Sequence, residues 1–222
     1  RRKGYSRQVM AHILAAGREA GHALSVLYAF RESFYERLGY SLFPQPRTAR
    51  FSPLALMPLL KLNLGGSVEW GNTSDFVMAY RGYLANQRER IHGMTLWDVK
   101  PEENPTWPSW IALARVDGQI VGAMTYSNDQ PETHRHMIVH HFDYTNSQGR
   151  YLLLEWLARH ADHVAQVKIE LPPYEQPETW LSDLDVQVSS VEPPLGRVLD
   201  VTRLEGMPTG PGRFSARIHD PL

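Results

Sequence analysis

The apolar positions near the start of the chain repeat with helical spacing. Val9, Met10, Ile13, Leu14 and Ala20 follow Gly4-Tyr5-Ser6, which predicts a helix opening near Gly4 and stopped by Gly21. Residues 23–29 form a nearly continuous apolar run, Ala-Leu-Ser-Val-Leu-Tyr-Ala. At that length the run predicts a buried parallel strand of a strand–helix–strand unit. Residues 32–38 predict a short helix ended by Gly39, and residues 40–43 a strand closed by Pro44 and Pro46.

Pattern then gives way to breakers. Residues 48–72 carry Pro53, Pro58, Gly65, Gly66 and Gly71, and read as a strand plus a linker at a domain boundary. Residues 73–90 predict a helix capped by Ser74 or Asp75, with Phe76, Tyr80 and Leu84 on one face. A loop over 94–108 leads to a hairpin over 110–126, whose Asp117-Gly118 is a two-residue turn signal. A strand over 134–144 follows. Next comes a helix capped by Asn146 or Ser147 and carrying Tyr151, Leu152, Leu154, Trp156 and Leu157, then a strand over 166–171 halted by Pro172-Pro173. Helix, hairpin, strand, helix, strand is a mixed α/β order. Past Pro193-Pro194, residues 196–201 and 212–218 read as two strands of a further unit.

Composition narrows the class. The 222 residues suffice for one large domain or two small ones, and 42% hydrophobic with 21% charged residues is a globular balance. A net charge of -1 argues against nucleic acid or an anionic membrane as the main partner. With no cysteine the chain has no disulfide, no thiolate metal site and no cysteine nucleophile, which fits a cytoplasmic setting. No apolar run approaches the ~18 residues of a membrane-spanning helix. The first residue is Arg1 rather than Met, so the lack of a leader carries no weight.

Arg1-Arg2-Lys3-Gly4-Tyr5-Ser6 combines dense positive charge, a glycine for close backbone approach and a helix N-terminus with unpaired N–H groups. A pyrophosphate site needs all three. Taken alone, the hexapeptide favours the plainer reading, a basic, solvated helix start with a glycine turn. Its context resembles the GNAT N-acetyltransferase superfamily: Arg-x-x-Gly-x-(Gly/Ala) opening a helix, then a strand, then a short helix bearing a tyrosine. Here Ser6 takes the place of the small Gly/Ala. Phe34-Tyr35-Glu36-Arg37-Leu38-Gly39-Tyr40 is similar to the Tyr-x-Arg-Phe-Gly-Tyr segment of the enhanced intracellular survival (Eis-like) branch.

The resemblance implies a domain plan. Residues 1–60 would be the C-terminal part of a catalytic GNAT domain, 61–192 a second, GNAT-like domain, and 193–222 the start of a sterol-carrier-protein-like domain. It further implies strands before Arg1 and a domain beyond Leu222, so the chain alone is expected to be inactive. The co-substrate would be acetyl-CoA, its pyrophosphate held by Arg2, Lys3, Gly4, Tyr5, Ser6 and Arg7, with Phe30 and Arg31 lining the same site. Tyr35 would be the general acid. The acceptor would be a primary amine of a small polyamine, an aminoglycoside or a lysine, attacking directly with no metal. Related proteins form hexamers, so self-association is expected. The competing expectation is a non-catalytic acyl-CoA-binding or assembly module.

Other features point less far. His134, His136, His140 and His141 cluster along one predicted strand, and alternation puts three of them on one face. No cysteine joins them, and they read as ordinary strand histidines rather than zinc ligands. Gln148-Gly149-Arg150 before the later helix lacks an upstream cation, so that helix is expected to bind no CoA.

Overall fold

The computed structural model describes residues 4–91, 110–129, 135–207, 215 and 217. The chain divides into two compact units, Arg1–Gln45 with Glu192–Leu222, and Pro46–Val191.

In the first unit, helix α1 (Tyr5–Glu19) leads to strand β1 (Leu24–Leu27), helix α2 (Glu32–Glu36) and strand β2 (Ser41–Leu42). Gly21 takes φ 84° just past α1, as the predicted stop requires. β1 was expected to be parallel and buried, but it runs antiparallel to a strand from far along the chain, β10 (Leu195–Val198). β10 sits between β1 and β2. The apolar run itself is sorted by alternation: Leu27 packs inward while Leu24 and Val26 stay exposed. Leu14, Leu38, Tyr40 and Leu195 form the small core, and the Tyr40 hydroxyl meets Ser25 Oγ at 2.7 Å. Gly39, at φ 80°, gives the Arg197 guanidinium room to donate to the Leu38 carbonyl; a β-carbon there would lie 2.5 Å from Nη1. Residues 195–198 thus complete the first unit's sheet, where a further unit was expected to begin. The second strand expected there, 212–218, falls almost wholly outside the described residues.

The second unit is built on a seven-stranded sheet of β3 (Arg47–Phe51), β4 (Ser67–Asn72), β5 (Trp110–Val116), β6 (Gln119–Asp129), β7 (His136–Tyr144), β8 (Gln166–Leu171) and β9 (Gln187–Ser190), in the order β4-β5-β6-β7-β8-β3-β9. Helix α3 (Thr73–Arg88) packs on one face. Helix α4 (Ser147–Ala158) and a 3-10 helix (Pro53–Lys61) pack on the other. Strand β5 shows why the hairpin was legible. Its alternate residues Ile111 and Leu113 meet Tyr80 and Tyr83 of α3, while Ala112 and Ala114 join the α4 core. The turn is as expected, with Asp117 at φ 48° and Gly118 at φ 77°.

Residues 48–72 are not a linker. β3 lies between β8 and β9, and Leu56 and Leu59 of the 3-10 helix are fully buried. Pro53 and Pro58 were read as breakers, but a 3-10 turn with a proline at its start accommodates them. The cap of α3 also differs: Asn72 is its N-cap, not Ser74 or Asp75, and its side chain makes no capping bond among the described residues.

β7 and β8 are the parallel pair, in register from His136↔Gln166 to Val139↔Ile169. Beyond that point they part. A bulge where Thr125 faces His141 and Tyr126 faces Val139 bends the sheet at the same level.

Candidate functional site

Two helix N-termini bear on anion binding, one in each unit. α1 opens on Gly4, at φ 75° and ψ 6°. That left-handed geometry suits glycine, and nothing lies within 4 Å of where a β-carbon would stand. No side chain caps the helix, and Tyr5, Ser6 and Arg7 are exposed. Gln8 N–H closes on the Gly4 carbonyl at 3.1 Å, leaving the N–H groups before it without an intrahelical acceptor. The first turn has no acidic residue, so the positive end of the helix dipole is uncompensated there. Arg2 and Lys3 lie outside the described residues.

Phe30 and Arg31, the other expected cofactor residues, line a cleft of about 420 Å³ with Ser33, Phe34 and Arg37. Sequence reasoning missed Arg37 as a second cation in that cleft. Its signal was its place in α2's trailing turn, one helical turn past Ser33. Tyr35 is half-buried beside it, its ring centroid 5.6 Å from Phe30, 5.0 Å from Phe34 and 5.8 Å from Tyr40, all edge-on. Among the described residues its hydroxyl makes no hydrogen bond. The Tyr35 carbonyl accepts from Leu38 and Tyr40 N–H, which anchors the α2 turn under the ring.

The N-terminus of α4 is closed. Asn146 Oδ1 accepts from Gly149 N–H at 2.9 Å, an N-cap bond as the sequence suggested. Gln148 Nε2 donates to the Leu64 and Gly65 carbonyls at 2.6 and 2.9 Å. Gly149 is buried against strand β6: a β-carbon would lie 2.2 Å from the Val121 carbonyl oxygen. The glycine serves close packing, leaving no room for a phosphate.

His134 lies outside the described residues, and His140 and His141 do not converge. His140 Nε2 meets Ser127 Oγ at 2.7 Å, and burial lowers its pKa. His141 turns to the α3 side, 5.8 Å from the Tyr80 ring, where burial also lowers its pKa. Among the described residues no group of three histidines or carboxylates is placed to hold a metal ion. No helix among them is long and apolar enough to cross a membrane.

Comparison with known proteins gives these features a family. An acetyltransferase (GNAT) domain model matches residues 82–203, and a second GNAT domain model matches residues 1–43. The chain belongs to the GNAT acetyltransferase family. It is similar in fold to a GCN5-related N-acetyltransferase from Anabaena variabilis, with 13% identity and a TM-score of 0.72 over 93% of this chain and 54% of that one. A probable N-acyltransferase from Enterococcus faecalis shares 17% identity, with a TM-score of 0.66 over 90% of this chain and 51% of that one. Eis1 from Mycobacterium abscessus shares 16%, with a TM-score of 0.62 over 90% and 54%. The chain spans about half the length of these solved structures. No curated protein matches it.

Proposed function

We propose that the protein is an acyl-CoA-dependent N-acetyltransferase whose donor site is in the first unit, on the α1 turn. The observation that carries this reading is the open N-terminus of α1, with Gly4 left-handed and uncapped, in a chain whose other GNAT-type helix start is shut. The unpaired N–H groups of Tyr5, Ser6 and Arg7 would hold a pyrophosphate, with Arg2 and Lys3 supplying charge. Phe30, Arg31 and Arg37 line the adjoining cleft.

In such a reaction the acceptor amine attacks the thioester carbonyl, the C–N bond forms, and the C–S bond breaks. The departing thiolate takes a proton from Tyr35, while the amine nitrogen gives up its proton to solvent, from which Tyr35 is reprotonated. A phenol hydroxyl placed beside the breaking C–S bond can serve as that proton donor. Tyr35 is the candidate because it is held by the Phe30–Phe34–Tyr40 cluster while its hydroxyl has no protein partner among the described residues. The resemblance of Phe34-Tyr35-Glu36-Arg37-Leu38-Gly39-Tyr40 to the Eis-like segment is the ground for proposing a polyamine, aminoglycoside or lysine amine as acceptor. The second unit, with its closed α4, is read as a GNAT-like domain that serves packing and assembly, including self-association.

A thiol-release assay on the full-length protein, with acetyl-CoA and a panel of these amines, tests the reading. Amine-dependent CoA release is the expected outcome. Release no faster than buffer across the panel, with acetyl-CoA bound, would support a non-catalytic acyl-CoA-binding module instead.

A further inference from the structure

The second unit keeps a cleft of about 260 Å³ where β7 and β8 part. Its walls are the last residues of β7 and the segment just after β8, roofed by the end of α3. In sheets of this type, ligands bind beyond the carboxyl ends of parallel strands. Here the α4 turn that would take a phosphate is closed by Asn146 and Gly149. Any occupant must therefore suit the cleft's own chemistry.

That chemistry centres on Asp143. Its Oδ2 accepts from the Tyr83 hydroxyl and from Gln87 Nε2, both at 2.7 Å. Gln87 is 4% exposed and Tyr83 5%, so the support is buried and the carboxylate is fixed. Burial, with the Asp143 charge behind it, raises the Tyr83 pKa, which keeps that hydroxyl a donor. Asp143 Oδ1 takes no hydrogen bond among the described residues, and Asp143 lines the cleft. The opposite wall holds Glu175, whose oxygens are already bonded to the Tyr144 hydroxyl at 2.5 Å and Trp180 Nε1 at 2.8 Å. Tyr144, its pKa pushed up to about 12 by burial and by that bond, stays protonated. Tyr144, Tyr174 and Phe142 supply aromatic surface, and Tyr174 is 67% exposed at the mouth. One preorganised carboxylate oxygen with aromatic walls is a recognition set for an alkylammonium head. Arg90 also lines the cleft, so the carboxylates of Asp143 and Glu175 face one cation and leave a single negative charge for a ligand to match.

We propose that this cleft binds a small ligand carrying a single primary ammonium group, its N–H donated to Asp143 Oδ1 and its alkyl part lying against Tyr174. The site lies wholly within the second unit and needs no acyl donor, so it stands or falls apart from the α1 reading.

The test is an amide-shift titration of the protein with n-butylammonium chloride, and in parallel with sodium butyrate, both without acetyl-CoA. Saturable shifts at 142–145 and 172–175 with the amine, and none with butyrate, are expected. Asp143→Asn should weaken amine binding about tenfold or more. Tyr174→Ala should weaken it several-fold, and as an exposed side chain with no hydrogen bond among the described residues its removal should leave the melting temperature unchanged. No saturation by about 100 mM amine, equal binding of butyrate, or unchanged affinity in both variants would each overturn the proposal.

Discussion

The helices α1 and α4 start in similar ways on paper and in opposite ways in space. Each has a glycine near its first turn and an arginine nearby. At α1 the glycine is the N-cap itself, left-handed, exposed and without a neighbour. At α4 the glycine lies inside the first turn, and the cap is Asn146, whose side chain takes the Gly149 N–H. The lesson is that a glycine at a helix start marks a ligand site only when its empty side faces open space. Where a carbonyl fills that side, as Val121 does at Gly149, the same residue type marks close packing.

The contrast can be broken at several points. The largest effect is expected at Tyr35 in the open unit. Tyr35→Phe keeps the aromatic packing and removes the proton, so kcat of the full-length enzyme should fall about 100-fold with acetyl-CoA affinity little changed. A kcat within threefold of the parent would remove Tyr35 from the reaction.

Gly4→Val comes next. It forces a β-branched residue to φ 75° and puts bulk where a phosphate would approach. Acetyl-CoA affinity by calorimetry should drop about tenfold or more, from a strain of roughly 1–2 kcal/mol alone. Unchanged affinity would detach the turn from the site.

A smaller effect tests the closed unit. Asn146→Ala deletes the cap and should cost about 1 kcal/mol of stability in urea unfolding. It should not create a donor site, because Gly149 remains packed on Val121. Acetyl-CoA stoichiometry should stay at one per chain, and a second equivalent in the variant would show that the cap alone kept α4 closed.

The smallest effect is a pH dependence. Burial holds His141 below its ordinary value of 6.5, with Asp143 pulling the other way. The unfolded chain therefore takes up the proton first as pH drops. Stability from the neutral ring is full above about 6.5 and is lost as pH falls toward the folded value. His141→Gln should flatten that loss in urea midpoints measured from about pH 7 down to about pH 5. An identical slope in the variant would assign the loss elsewhere.

What the sequence disclosed follows from how local each signal is. Period and turn chemistry identified α1, the β5–β6 hairpin, α4 and β8, because Gly21, Asp117-Gly118, Asn146 and Pro172 each act within a few residues. The pairing of β1 was not legible, since Leu24 to Leu27 have the same apolar character whichever strand lies beside them. Residues 53–61 were misread because prolines break an α-helix but can open or sit within a 3-10 turn that Leu56 and Leu59 bury. At the candidate site, Gly4 and Tyr35 were conspicuous through motif spacing. Arg37 was not, because its role depends on the cleft that α2 shapes. The Asp143 cleft was hidden for a further reason: its carboxylate is positioned by Tyr83 and Gln87, more than fifty residues earlier.

The seating of β10 between β1 and β2 also sets an order of events during synthesis. Leu24 pairs with Val198 and Leu27 with Leu195, so the first unit's sheet cannot close until the ribosome has passed the second unit. At roughly 5–20 residues per second, the ~170 intervening residues take about 10–30 s. The second unit is continuous from Pro46 to Val191 and can fold within that interval. Through it, β1 waits with the edge that β10 will take unpaired and with Leu27 in water, which is when a holdase chaperone would find this chain most in need.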